Sequence, residues 1–321
     1  MNILIKKIWL LLLPLAVLAS CGDSSQEDTN APAEENTNAN ALGSAASTLD
    51  MPRLQGDSSL TATDADSTSG RAYVTSHGRA SSVLIVHSDP LTGEVNYCTE
   101  YDRALRSQHW SCYKMHRGNM YNGAGVQRYS PDDYSLQYPA DPLCVTPDLI
   151  RGQGYDHGHI CPSADRLTTQ LQNYQTFFLT NMQPQQHEFN AGIWADGEAA
   201  LRTLARNATK CDTLYVCKGG TLGLGGLLDG QRLETRANGL IVPRYFFVAA
   251  LLVKNGSYYS VGILYDQKPV AYSGGHNTYA EPQFMSVDNL ETLTGYDFFC
   301  NMPDARENVV ESHFTRSLWG F

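Results

Sequence analysis

Between Gly22 and Gly70 this chain contains no aromatic residue, and its few apolar side chains stand singly among Asn, Ala, Thr, Ser and Asp. Such a stretch cannot bury enough surface to offset the entropy of ordering it. A fold must therefore come from residues 71–321, and residues 22–70 are read as a disordered acidic tether. As flexible coil, ~50 residues have a root-mean-square reach of roughly 40 Å. Charge follows the same division. Of a formal −10, residues 22–70 supply nine acidic groups against Arg53 alone. The body keeps 24 acidic and 20 basic residues. That balance argues against a tight, sequence-reading DNA binder, but it leaves room for an enzyme with a local basic groove.

Ahead of the tether, Lys6 and Lys7 precede the apolar run Ile8 to Leu18. This is the layout of a secretory leader, too short for a comfortable membrane-spanning helix. Leu18-Ala19-Ser20-Cys21 resembles a bacterial lipoprotein box. The resemblance implies removal of residues 1–20, lipidation of Cys21, and a domain held at a membrane surface, on the periplasmic face or the cell surface. With Cys21 lipidated, seven cysteines remain in an exported domain where disulfides persist. Cys98 and Cys112 fall on two predicted hairpin strands and are a candidate cross-strand disulfide. Cys211 and Cys217 flank an extended stretch and are too far apart to bond each other.

The pattern in 71–321 predicts one α+β domain with a central sheet. Strands are predicted at Val83 to Val86, Glu94 to Tyr101, Trp110 to Met115, Phe177 to Leu179, Thr213 to Cys217, Tyr245 to Val253 and Tyr258 to Leu264. Gly118 to Pro147, rich in Gly, Asn, Asp, Pro and Tyr, reads as loop. The clearest helix runs from about Ala191 to Arg206 with Asn190 as its N-cap. Ile193, Gly197, Ala200, Leu201 and Leu204 form its apolar arc, and Asn190, Trp194, Glu198 and Arg202 lie along the neighbouring one.

Chemistry concentrates in two segments: Gly154-Tyr155-Asp156-His157-Gly158-His159-Ile160-Cys161-Pro162, and Asn190-Ala191-Gly192-Ile193-Trp194 thirty-one residues after His159. A histidine can take a proton from water at neutral pH. A hard divalent cation that keeps most of its waters needs few protein ligands, so one amide oxygen can hold it. An arginine can clamp a phosphate with two hydrogen bonds.

Together the two segments resemble the DNA/RNA non-specific endonucleases, nucleases with a ββα-metal active site and a D-R-G-H motif. The resemblance covers about residues 80–321 and implies a mainly antiparallel sheet flanked by helices, acting on DNA and RNA with Mg²⁺, or Mn²⁺ in its place. It assigns His159 as general base and Asn190 as the direct metal ligand. Glu198 would order metal-bound water, Arg202 would contact phosphate, Asp156 would orient the base or support its turn, and Asn181 would stand beside the site. The family's upstream arginine falls on Arg128, with Arg117 as the alternative. His157 occupies the place of the motif arginine, which removes a permanent positive charge.

Two other readings use the same residues. His157 and His159 form an H-x-H pair that on a strand faces one side, as in a Zn²⁺ metallohydrolase. Alternatively the chain is a non-catalytic surface lipoprotein on a nuclease scaffold, with Asn190 only a cap and Glu198–Arg202 only a surface i,i+4 pair.

Overall fold

Strand Tyr245–Lys254 shows how the core is organised, because it is apolar at nearly every position. Phe246, Val248, Ala250 and Leu252 enter one hydrophobic cluster, while Phe247, Ala249 and Leu251 enter another. Side chains alternate across a strand, so an unbroken apolar run means that both faces of the sheet are covered. Each large side chain buried this way contributes about 1.5–3 kcal/mol.

The computed structural model describes residues 35–40, 49–54, 82–130, 138–141, 144, 146–222, 225–228 and 230–320, together with the backbone of 61–65 and 72–76. The expected leader and Cys21 lie outside the described residues. In chain order the strands are β1 Thr61–Ala65, β2 Ala72–Ser76, β3 Ser82–Ser88, β4 Val95–Asp102, β5 Ser107–His116, β6 Asp156–His159, β7 Met182–Gln185 and β8 Thr213–Gly220. They continue with β9 Arg232–Thr235, β10 Ile241–Pro243, β11 Tyr245–Lys254, β12 Ser257–Asp266, β13 Ala271–Ser273, β14 His276–Thr278 and β15 Gln283–Met285. Nine of them form one sheet in the order β1-β2-β3-β4-β5-β8-β11-β12-β15, and β6–β7, β9–β10 and β13–β14 make three small ones. Neighbouring strands of the large sheet all run antiparallel. The α+β class and the mainly antiparallel sheet expected from the sequence are present.

One face of the sheet carries the helical run that begins at α2 His187–Phe189, passes through a π-turn at Asn190–Trp194 and continues as α3 Ala195–Arg206. Gly192, at φ −107° and ψ −115°, kinks the run. The preceding short helix, α1 Gln170–Gln175, is capped by the Thr169 hydroxyl. Helix α3 buries Gly197, Leu201, Leu204 and Ala205, close to the predicted arc. A methyl group on Gly197 would lie 2.2 Å from the Tyr265 hydroxyl, so only glycine lets the helix come this near β12. Helices α4 Val287–Thr294 and α5 Asp304–Glu311 follow the last strand.

Four expectations need correction. Phe177 to Leu179 is not a strand but a turn after α1, leading into a 3-10 turn at Leu179–Asn181. The run is apolar because it is wrapped by Tyr129, Tyr174 and His87, not because it is extended. Asn190 is not an N-cap: it has helical φ −61° and ψ −48°, and its N–H donates to Gln186 O at 2.8 Å. The helix starts three residues earlier.

The domain also takes in part of the expected tether. Asn36 donates to the carbonyls of Cys300 and Met302, Arg53 N–H donates to Asp297 O, and Met51 is buried in the second cluster. Asparagine side chains that satisfy loop carbonyls do here what aromatic residues do elsewhere, so composition alone concealed the packing. Finally, Cys98 and Cys112 are register partners as predicted, with Cys217 next in the same row, yet all three are free buried thiols. Directly opposed Cβ atoms lie ~4.5–5.5 Å apart, whereas a disulfide wants about 3.8 Å.

Under α3, Lys218 of β8 is completely buried. Its ammonium donates to Glu198 Oε1 at 2.5 Å and sits 4.4 Å above the Trp194 ring. Burial pushes the Glu198 carboxyl above its usual range and the lysine charge opposes that shift. Lys218→Met leaves this carboxylate without its cation, which costs about 3 kcal/mol or more. Urea denaturation should show the loss, and a midpoint equal to wild type would remove the pair from the fold's supports.

Candidate active site

The β6–β7 hairpin pairs Asp156 with Gln185, His157 with Pro184, Gly158 with Gln183 and His159 with Met182. Because α2 begins two residues after β7, the chain runs strand, strand, helix, and the helix returns over the histidine strand. Gly158 is required by this hairpin, since a Cβ there would lie 2.2 Å from Gln185 Oε1. Just upstream, Gly152 and Gly154 take φ of 73° and 81°, turning the chain into β6.

His159 is held from two sides. Its ring meets Phe177 edge-on at 4.6 Å, and the backbone just after it is pinned by Asn181. The Asn181 amide is fully buried. Its oxygen accepts from Cys161 N–H at 2.9 Å and from the Ser111 hydroxyl at 3.1 Å. Its nitrogen donates to Cys161 O at 2.9 Å and Thr176 O at 2.8 Å. Asn181 thus stands behind the site, tying the histidine segment to β5.

An open cleft of about 510 Å³ is lined by Asp156, His157, His159, Asn190 and Arg128. Five of the residues singled out from sequence therefore share one surface. Tyr138, Arg151, Gly152, Tyr155 and His187 complete the lining. Asp156 Oδ2 accepts from Asn190 Nδ2 and from His187 Nδ1, both at 3.0 Å. With its nitrogen bound this way, the asparagine must turn its amide oxygen away from Asp156. The carboxylate thus orients the asparagine, a role the sequence had placed on the histidine side.

His157 stacks on Tyr138 at 3.9 Å and 14°, and its Nε2 lies 2.8 Å from Asp148 Oδ1. Burial raises the Asp148 carboxyl, but the His157 contact and the Arg151 N–H outweigh it and hold the group below the usual carboxylate range. Arg128 Nε donates to the Ser163 hydroxyl at 3.2 Å, and its guanidinium lies 4.9 Å over Phe177. Arg151 Nε donates to Asp148 Oδ2 at 3.3 Å. The cleft thus holds two guanidinium groups and one carboxylate. Arg117, on an exposed turn, does not line it.

Glu198 and Arg202 stand apart from this lining. Glu198 is bound to Lys218, and Arg202 Nε donates to Asp165 Oδ1 at 2.5 Å. Neither residue pairs mainly with the other, as the non-catalytic reading would have it; each is bound to a separate partner beneath the helix.

The donors facing the cleft fit a hard divalent cation: an oriented amide oxygen, with a carboxylate beside it. They fit zinc poorly. Among the described residues, no group of three converging His, Cys, Asp or Glu ligands includes His157 or His159.

Several cleft residues escaped the sequence reading. Arg151 and Tyr155 lie within eight residues before His159, and His187 lies one helical turn before Asn190, so proximity to the motifs was the available signal. Nothing in the sequence pointed to Tyr138 or Asp148.

Comparison with known proteins agrees with this geometry. The sequence model of the DNA/RNA non-specific endonuclease family matches residues 84–305. A nuclease of Nostoc sp. is 29% identical over 220 residues, covering 67% of this chain and 75% of that protein. Mitochondrial endonuclease G of Homo sapiens is 30% identical over 173 residues, covering 52% of this chain and 56% of that protein. The chain thus spans between about half and three quarters of these relatives' lengths. A chain of the solved EndoG/EndoGI complex superposes with a TM-score of 0.52 at 22% identity, covering 68% of this chain and 86% of that one, a likeness of fold. With more than half of its length matched by the family, this chain belongs to the DNA/RNA non-specific endonucleases and is a nuclease.

Proposed function

We propose that the chain hydrolyses phosphodiester bonds of both DNA and RNA with little sequence preference, using a divalent cation and His159 as general base. One observation carries this reading: His159, Asn190 and Arg128, from three separate stretches of sequence, line a single cleft. Water attacks phosphorus in line with the leaving oxygen, and the His159 imidazole takes the water's proton. Arg128 and Arg151 hold the phosphate oxygens, on which negative charge builds. Contacts of that kind grip the backbone and carry no sequence information.

Asn190 would hold the cation through its amide oxygen, with Asp156 fixing that oxygen's direction. Mg²⁺ suits these hard oxygen donors, and Mn²⁺ could take its place; when bound, it would polarise the phosphate and offset charge on the leaving oxygen. His157, stacked and paired with Asp148, supplies donor capacity where the motif arginine would stand. Glu198 would act at longer range on metal-bound water, from its place against Lys218.

His159→Ala is expected to lower cleavage of DNA and RNA by about 10²–10⁴-fold. The variant should melt like wild type, and wild-type cleavage should stop in EDTA. Activity gels with both substrates check this, and a fully active variant would remove the assigned base. Asn190→Ala should raise the Mg²⁺ concentration needed for half-maximal activity by about tenfold or more. A metal titration that superposes on wild type would remove the ligand.

We also propose that the protein is exported and anchored through Cys21, a reading supported by Lys6, Lys7, the apolar run and the small residues before the cysteine. Cys21→Ser should abolish incorporation of radiolabelled palmitate and release the protein from membranes. Unchanged labelling would reject the anchor.

A further inference from the structure

Outside the cleft, one group of side chains has the spacing of a second cation site. Asp288 and Glu291, one turn apart on α4, meet Glu311, the last residue of α5. Their ligand oxygens all lie within 4.8 Å of one another. Opposite ligands of a Ca²⁺ ion stand about 4.8 Å apart, given Ca–O distances near 2.4 Å. All three offer only oxygen, which selects a hard cation.

A second observation separates this corner from an ordinary acidic surface. Glu311 is only 5% exposed, and its Oε1 is buried with no hydrogen-bond partner. A buried carboxylate oxygen left unmatched is costly, and this carboxylate brings an oxygen within 4.8 Å of one from each of the other two. Glu291 is better served, since its Oε1 accepts from Phe298 N–H at 2.7 Å.

We propose that Asp288, Glu291 and Glu311 bind a Ca²⁺ ion that clamps α4 to α5 beside the sheet. The electrostatics agree. Burial, reinforced by Glu291, Glu307, Asp297 and Asp288, pushes the Glu311 carboxyl up to about 10. Burial, opposed by the Phe298 N–H and reinforced by Asp297, Asp288 and Glu307, pushes Glu291 up to about 8. An exposed ligand at Asp288 leaves the site open to an entering ion.

Thermal unfolding and titration calorimetry with CaCl₂ in Mg²⁺-free buffer test the proposal without reference to nuclease activity. At about 100 times Kd, Ca²⁺ should raise the melting temperature of the wild-type chain by roughly 5 °C. Asp288→Asn and the near-isosteric Glu311→Gln should each lose that shift and the calorimetric site, whereas Asn190→Ala should retain both. Asp288 is exposed, so its variant folds even if the buried one does not. Absence of any Ca²⁺ response in wild type would overturn the site, showing that protons neutralise these carboxylates. A response lost in Asn190→Ala but kept in Asp288→Asn would also overturn it, placing the ion in the nuclease cleft.

Discussion

The buried amide of Asn181 is the joint on which the cleft depends. A carboxamide has two donor hydrogens and an acceptor oxygen, and here each kind is used in pairs across three parts of the chain. It takes one bond from β5, two from the segment after His159 and one from the turn after α1. Water cannot replace any of these in the dry interior, so losing one leaves buried backbone groups unmatched. His159 is therefore carried on a strand only four residues long that is nonetheless fixed to the large sheet. Phe177, from the same turn, then sets the plane of the imidazole. Positioning of this kind matters because small displacements at a reacting centre cost large factors in rate.

A second layer of fixed charge lies beneath α3. Lys218–Glu198 and Arg202–Asp165 are two ion pairs laid between helix and sheet, and Asp165 also accepts from the Tyr113 hydroxyl at 3.4 Å. In a low-dielectric layer such pairs enforce one geometry more than they add stability. They keep the helix that carries Asn190 from rotating about its axis. Asp156 then fixes the remaining freedom of the asparagine by holding its nitrogen. Strand, helix and carboxylate thus converge on the direction of one amide oxygen.

Much of this was legible in the sequence, for identifiable reasons. Alternation revealed β4 and β5, and apolar, aromatic and β-branched runs revealed β8, β11 and β12, because strands at the centre of a sheet are buried on both faces. His159, Asn190, Asp156 and His157 could be placed in one site because the family resemblance rests on two motif segments at a set spacing, whereas Arg128 was a looser match, with Arg117 as its alternative. What stayed hidden was three-dimensional partnership. Glu198 and Arg202, which at i,i+4 could also be a surface pair, each found a different partner, Lys218 on β8 and Asp165 on the 3-10 turn after β6. Phe177 to Leu179 looked extended because burial without periodicity mimics a strand. Tyr138 reaches the cleft from a loop whose composition says only that it is a loop, and Asp148 touches the site only through His157. Asn36, Asn40 and Met51 pack where composition alone forecast disorder.

The row of Cys98, Cys112 and Cys217 across three central strands places unoxidised sulfur in the most protected layer of the molecule. Thiolate is the form that reacts, and burial pushes the Cys112 and Cys217 thiols well above their ordinary range. Once folded, the sheet is chemically quiet at this row. Before folding, the same sulfurs are open to any oxidant and to one another. The assembled sheet therefore shields from oxidants three thiols that an unfolded chain would leave exposed.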